Sequence, residues 1–175
     1  MSIYFAHANY FLHQGKPVPI ELSIATLPKN GSDPQVLCIT VNHDGFDSTP
    51  RDMRYNACKN ARLRLVRPLP KSVPVDYLPY CVRGMVDPGG LIVVKSSKQQ
   101  KMFKELGLVT VCLEMLPKFN TLGDGTFPNP MHDDLHEEGD VSHCTMLKSF
   151  QFAKYLQQFQ KLQAEWKDKV SAWRE

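Results

Sequence analysis

Residues 18–41 read VPIELSIATLPKNGSDPQVLCITV, and the architecture is read outward from this stretch. Val18 to Leu27 reads as a strand, with Pro17 and Pro19 at its start, where proline is tolerated. Asn30-Gly31 is a strong hairpin-turn signal, because both residues accept positive φ. Val36-Leu37-Cys38-Ile39-Thr40-Val41 is rich in β-branched and apolar residues and predicts the returning strand. Upstream, Ile3-Tyr4-Phe5 is a short apolar run that Ala8–Leu12 continues or bulges. Gly15-Lys16-Pro17 is the turn between it and the next strand. Three strands with tight connections make an antiparallel meander.

Downstream the period changes. Asn42 to Pro50 reads as loop, and a short helix is expected around residues 54–61. Pro68, Pro70, Pro74 and Pro79 predict an irregular crossing. Leu91-Ile92-Val93-Val94 is a buried type of strand. A helix through Lys98–Leu106 follows, with Ser97 as N-cap and Gly107 as C-cap. Val109 to Leu113 is a further strand, and 117–132 is loop. Leu147, Phe150, Ala153, Leu156, Phe159, Leu162 and Trp166 recur at threes and fours, which predicts a long closing helix over about 140–173. The whole is an α/β order: a three-strand antiparallel meander, then strand–helix–strand, then a long C-terminal helix. It matches the RNase H-like mixed sheet used by 3′–5′ exonucleases.

The chain has 175 residues, 42% hydrophobic and 22% charged, which suits one domain that buries roughly 70% of its unfolded surface. That composition excludes wholesale disorder. No run of about 18 apolar residues is present, so no membrane span or membrane partner is expected. The start, MSIYFAHANYFLH, has neither a basic n-region nor a clean apolar h-region and does not read as a secretory signal. Five scattered cysteines without a CxxC pair suit a reducing compartment.

Net charge is only +3, but it is unevenly spread. From Arg51 to Lys71 stand seven basic residues (Arg51, Arg54, Lys59, Arg62, Arg64, Arg67 and Lys71) against the single acid Asp52. Lys95, Lys98, Lys101 and Lys104 recur every three residues, along one side of a helix. The acids gather at Asp133, Asp134, Glu137, Glu138 and Asp140. Such a two-sided molecule offers either a phosphate-tracking surface or an ordinary solvated face, and charge alone leaves both open. Tyr55 and Tyr80 flank the basic region as candidate stacking partners for bases.

The PVPIELSIATL segment, its Asn-Gly turn and VLCITVNHDG resemble the second and third strands of a DnaQ-type exonuclease. The Phe5–Leu12 stretch, Pro19-Ile20-Glu21-Leu22, Arg51-Asp52-Met53-Arg54-Tyr55, and His136-Glu137-Glu138-Gly139-Asp140 followed by Cys144 resemble the Maelstrom domain, a germline relative of those exonucleases. The likeness runs over about 3–158, within a single domain of 1–175. Exonuclease chemistry needs clustered carboxylates, since two divalent ions ~4 Å apart are held by acidic oxygens. The expected acids are missing. Phe5-Ala6-His7-Ala8-Asn9 has none. Lys98-Gln99-Gln100-Lys101 stands at the second position, and Lys148 stands five residues after His143. Metal-dependent exonuclease activity is therefore not expected.

The resemblance implies instead a zinc ion on Glu21, His136 and Cys144, ligand types that suit Zn²⁺. Leu65 stands where the family has its remaining histidine; His132, His143, Asp133 and Cys58 are the alternatives. The other reading makes Glu21 a hydrogen-bonded strand carboxylate, Cys144 a core thiol and His136 a surface residue. His7, His13 and His43 are expected to be structural or at the surface. The functional expectation is single-stranded RNA binding through Arg51, Arg54, Lys59, Arg62, Arg64, Arg67, Lys98 and Lys101. The resemblance implies piRNA-guided transposon silencing in germ cells, with piRNA-pathway proteins as partners, in perinuclear granules and the nucleus. The alternatives are a single-strand RNA endonuclease using other residues, and a protein-interaction module.

Overall fold

The computed structural model describes residues 2–26, 32–63, 71–112, 145–154 and 157. In chain order these form β1 (Ile3–His13), β2 (Lys16–Thr26), β3 (Val36–Asn42), α1 (Pro50–Leu63), β4 (Val73–Pro74), a 3-10 turn (Val75–Tyr77), α2 (Leu78–Met85), β5 (Leu91–Val94), α3 (Ser97–Glu105) and β6 (Thr110–Cys112). Residues 145–154 are helical and are called α4; apart from residue 157, the rest of the span expected as a helix, about 140–173, lies outside the described residues. The strands make one mixed sheet in the order β4-β3-β2-β1-β5-β6. β1, β2 and β3 are antiparallel neighbours, as the meander requires, while β5 runs parallel to β1 and β6 parallel to β5.

Side chains alternate across β1. Tyr4, Ala6 and Ala8 face a core shared with Leu78 and Val82 of α2 and Met102 and Phe103 of α3. Phe5 and His7 point the other way and meet Phe152 of α4, with ring centroids 6.3 and 6.0 Å apart. The sheet is thus covered on both faces. Among the described residues no helix is long and apolar enough to cross a membrane.

Four local details differ from the sequence reading. First, the β1–β2 turn is Gln14-Gly15, one residue earlier than expected, with φ of 52° and 74°. Two consecutive positive φ values match the right-handed twist of a two-residue hairpin. Asp52 holds it, accepting from Gln14 N at 2.7 Å and Gly15 N at 3.2 Å. Second, Pro19 lies inside β2, not at its start. The register shifts there: Asn9 pairs with Glu21 and Tyr10 with Pro19, leaving Ile20 as the extra residue of a bulge. A bulge is one of the few places where a strand tolerates a residue without an N–H.

Third, α1 is longer than expected because a capping box starts it at Pro50. Asp52 N donates to Thr49 Oγ1 at 3.2 Å and Thr49 N donates to the Asp52 carboxylate at 3.0 Å. Proline fits the first helical turn, where its missing N–H does no harm. The same reason lets Pro79 sit in the first turn of α2, so the proline-rich crossing contains a helix. Fourth, α3 is capped by Ser96, not Ser97, with Ser96 Oγ accepting from Gln99 N. It ends as expected at Gly107, whose φ is +86°. Gly107 N donates to Lys104 O and Leu108 N to Phe103 O, the double closure that a left-handed residue permits. The expected turn at Asn30-Gly31 and the 117–132 loop lie outside the described residues.

Candidate nucleic-acid interface

β5 pairs with β1 only at Ile3, Tyr4 and Phe5, so the later part of that β1 edge needs other partners. Two side-chain amides supply them. Gln99 of α3 accepts from Ala8 N at 2.9 Å and donates to Ala8 O at 2.8 Å. Asn56 of α1 does the same to Leu12, at 2.7 and 2.8 Å. A carboxamide has a donor and an acceptor side by side, so it substitutes for the peptide of a missing neighbour strand. Each amide locks its helix to β1. Gln99 thereby fixes Lys98, and Asn56 fixes Tyr55 and Lys59.

Tyr10 stands between these two anchors. Its ring stacks on Tyr55, with centroids 5.8 Å apart and planes at 14°. Lys98 Nζ lies 4.8 Å and Lys59 Nζ 5.5 Å from the centroid of Tyr10. Burial alone would raise the pKa of the Tyr10 hydroxyl, but hydrogen bonds with Lys98 and Tyr55, and the charges of Lys98 and Lys59, lower it overall. The Tyr55 hydroxyl is pushed up, first by burial and then by its bond to Tyr10. Lys59 is held below the usual lysine range. Burial is the main cause, and the like charges of Arg62 and Lys98 add to it, while Tyr10 and Glu21 act in the opposite sense. Cations that crowd one another in this way gain from an anion placed among them.

The positive field extends to the other face of β1. His7 is lowered to about 3, by burial first and then by Lys95, Lys148 and Lys59. Its Nδ1 is buried without a hydrogen-bond partner. Lysines from three parts of the chain thus act on this stretch of β1.

On α1, Arg51, Arg54, Tyr55, Lys59 and Arg62 fall within a stripe of about 140°. Asp52, Asn56 and Leu63 occupy the adjoining inward side, and Asp52 and Leu63 are buried. Asp52, the lone acid of the basic segment, is taken up by backbone N–H groups. Its bond from the Thr49 amide is the largest of the causes that lower its pKa. The charged side chains left on the face toward solvent are therefore all basic, with the uncharged Met53 and Cys58 exposed among them. Arg51, Arg54 and Arg62 are exposed and Lys59 is half-buried. Lys98 and Lys101 line a cleft of about 580 Å³ with Lys16, Gln14, Gly15, Pro17, Met102 and Glu105. Lys16 is thus a third lysine there that the sequence reading did not select. Arg64 and Arg67 lie outside the described residues. Tyr80 is exposed, and Arg83 lies 5.5 Å from the centroid of its ring.

Glu21 is fully buried. Its Oε1 accepts from Asn9 Nδ2 at 2.6 Å and from Thr145 N at 3.2 Å. The carboxylate therefore caps the start of α4, where a negative charge complements the helix dipole. Ser23 Oγ and Thr145 Oγ1 lie 2.7 Å apart, and Ser149 Oγ donates to Ser23 O at 3.1 Å. Hydrogen bonds thus join α4 to the sheet beside Glu21. His136 and Cys144 lie outside the described residues. Among the described residues no three His, Cys, Asp or Glu are grouped to hold a metal ion.

Tyr10, Lys16, Asn56 and Gln99 escaped sequence reasoning. A signal existed for Gln99 alone, as a polar residue on the buried side of an amphipathic helix. Comparison with protein families, with curated proteins and with solved structures returned no match.

Proposed function

We infer that this chain is a catalytically degenerate, RNase H-like domain that binds single-stranded RNA. The observation that carries the reading is the convergence of Lys59 and Lys98, from two different helices, on the ring of Tyr10. Charge that crowds beside a stacked aromatic pair suits a flexible polyanion with bases, since phosphates meet the ammonium groups and bases meet aromatic edges and faces. The meander followed by strand–helix–strand on the far side of β1 supports the RNase H-like assignment. The absence of acids from Phe5–Asn9, with Lys98 and Lys148 nearby, supports the failure of two-metal cleavage. The setting in piRNA-guided silencing, germ granules and nucleus rests on the Maelstrom resemblance.

The test is binding of a fluorescent single-stranded RNA across a salt series with EDTA present. Binding should weaken steeply with salt. A Lys59→Ala/Lys98→Ala pair should lower affinity by at least about tenfold and reduce the salt slope by about 1.4, at about 0.7 for each phosphate no longer neutralised. No binding even at low salt would sink the reading. Shortening of the RNA in the same tubes would favour the endonuclease alternative.

A further inference from the structure

A second cluster lies at the hairpin end of the sheet, where β1, β3 and the loop before α1 meet. Ser48 Oγ is 2.8 Å from His13 Nδ1. His13 Nε2 is 2.7 Å from His43 Nδ1. His43 Nε2 is 2.8 Å from the Pro19 carbonyl oxygen. A carbonyl can only accept, so His43 carries its proton on Nε2 and presents Nδ1 as an acceptor. Neutral His13 must then carry its proton on Nε2, which leaves Nδ1 to accept from the Ser48 hydroxyl. The chain of donors therefore runs one way, from Ser48 to His13 to His43 to Pro19. Phe46 stacks on His13 with centroids 4.5 Å apart and planes at 25°, fixing the ring.

We propose that Ser48 is an acyl-transfer nucleophile, with His13 as its general base and His43 positioning His13, and that it takes neutral or cationic acyl esters. The arrangement has the three parts that activation of a serine needs: a nucleophile, a base within hydrogen-bond reach, and a third group orienting the base. Burial lowers the pKa of His13, which keeps it neutral and ready to accept a proton near pH 7, while the nearby Asp52 charge favours the imidazolium once it forms. The substrate charge follows from the surroundings. Residues 42–50 carry Asp44 and Asp47 and no lysine or arginine. Phe46, which stacks on His13, also lines a cleft of about 360 Å³ with Val75, Asp44 and Asp76 among others, next to the cluster and not including Ser48 itself. An anionic phosphate ester would be repelled there.

In the step, Ser48 Oγ bonds to the ester carbonyl carbon and its proton passes to His13 Nδ1. The carbon–oxygen bond to the alcohol then breaks, and the alcohol leaves with that proton. Water repeats the sequence on the acyl-serine, releasing the carboxylic acid and restoring the Ser48 hydroxyl. This site uses none of the lysines of the RNA surface, so the two readings stand or fall separately.

The experiment is labelling of the full chain with a fluorophosphonate probe, mapped by peptide mass spectrometry, beside hydrolysis of p-nitrophenyl acetate. An adduct on Ser48 is expected. Ser48→Ala should abolish both label and hydrolysis, and His13→Gln should slow labelling by about 100-fold or more. His43→Asn should move the pH profile of labelling, which a merely structural histidine would not do. No adduct on the folded wild-type chain, or an adduct that survives Ser48→Ala, would overturn the proposal. If His13→Gln fails to fold, the comparison of wild type with Ser48→Ala decides alone.

Discussion

His7 shows what a single residue costs the fold. The sequence places it on β1 and says nothing of its surroundings; the structure sets it against Phe152, under the charges of Lys95, Lys148 and Lys59. Its folded pKa of about 3 lies below the unfolded value of 6.5. Its neutral form is therefore favoured on folding. Its contribution to stability is complete above pH 6.5 and falls away as the pH drops from there toward 3. His13 is shifted in the same direction and adds to this. Because Nδ1 makes no hydrogen bond, His7→Phe leaves no polar group behind. Thermal melts between about pH 7.5 and about pH 4 should show a shallower fall in stability for His7→Phe than for wild type. Equal acid sensitivity in the two would mean that His7 is not the buried neutral group described.

At the scale of elements, α1 and α3 are each tied to β1 by one side-chain amide in addition to their buried apolar residues. α3 shows this best. Its cap at Ser96 and its exit at Gly107 were legible within one residue, since both are local turn chemistry. Its docking through Gln99 was not, because the partner, Ala8, lies 91 residues earlier. Gln99→Leu keeps the volume but strips Ala8 of a donor and an acceptor for its buried peptide groups. Denaturant unfolding should show a destabilisation of about 2–4 kcal/mol, the cost of leaving two buried backbone groups unmet. RNA affinity should fall with it, since Lys98 is the neighbour of that anchor. A destabilisation below about 0.5 kcal/mol, on the order of a surface change, would refute the anchoring role.

At the scale of the molecule, hydrogen bonds from Glu21, Ser23, Thr145 and Ser149 fasten α4 to the sheet directly. EDTA should leave the thermal midpoint of the purified chain unchanged; a fall of several degrees, reversed by Zn²⁺, would restore a metal to the Glu21 neighbourhood. The same scale shows how charge is sorted. The basic stripe of α1 and the lysine-lined cleft by α3 collect on either side of Tyr10, while the loop carrying Ser48 is acidic.

Local pattern in the chain was enough for the meander, the strand–helix–strand order, the capping of α3 and the excess of arginine and lysine. These depend on alternation, turn chemistry and composition over a few residues, all of which act within reach of near neighbours. Local pattern missed α2, because prolines that break a helix interior are harmless in its first turn. Only the packed fold set which basic residues converge, put Gln99 and Asn56 in place of a strand, and made Glu21 the cap of α4. It also joined Ser48 and His43 to His13, which lies 35 and 30 positions from them along the chain. Such groupings follow from the register of β1 against β2 and the seating of α1 on the sheet end. Both are set by the burial of the whole core, which no local pattern records.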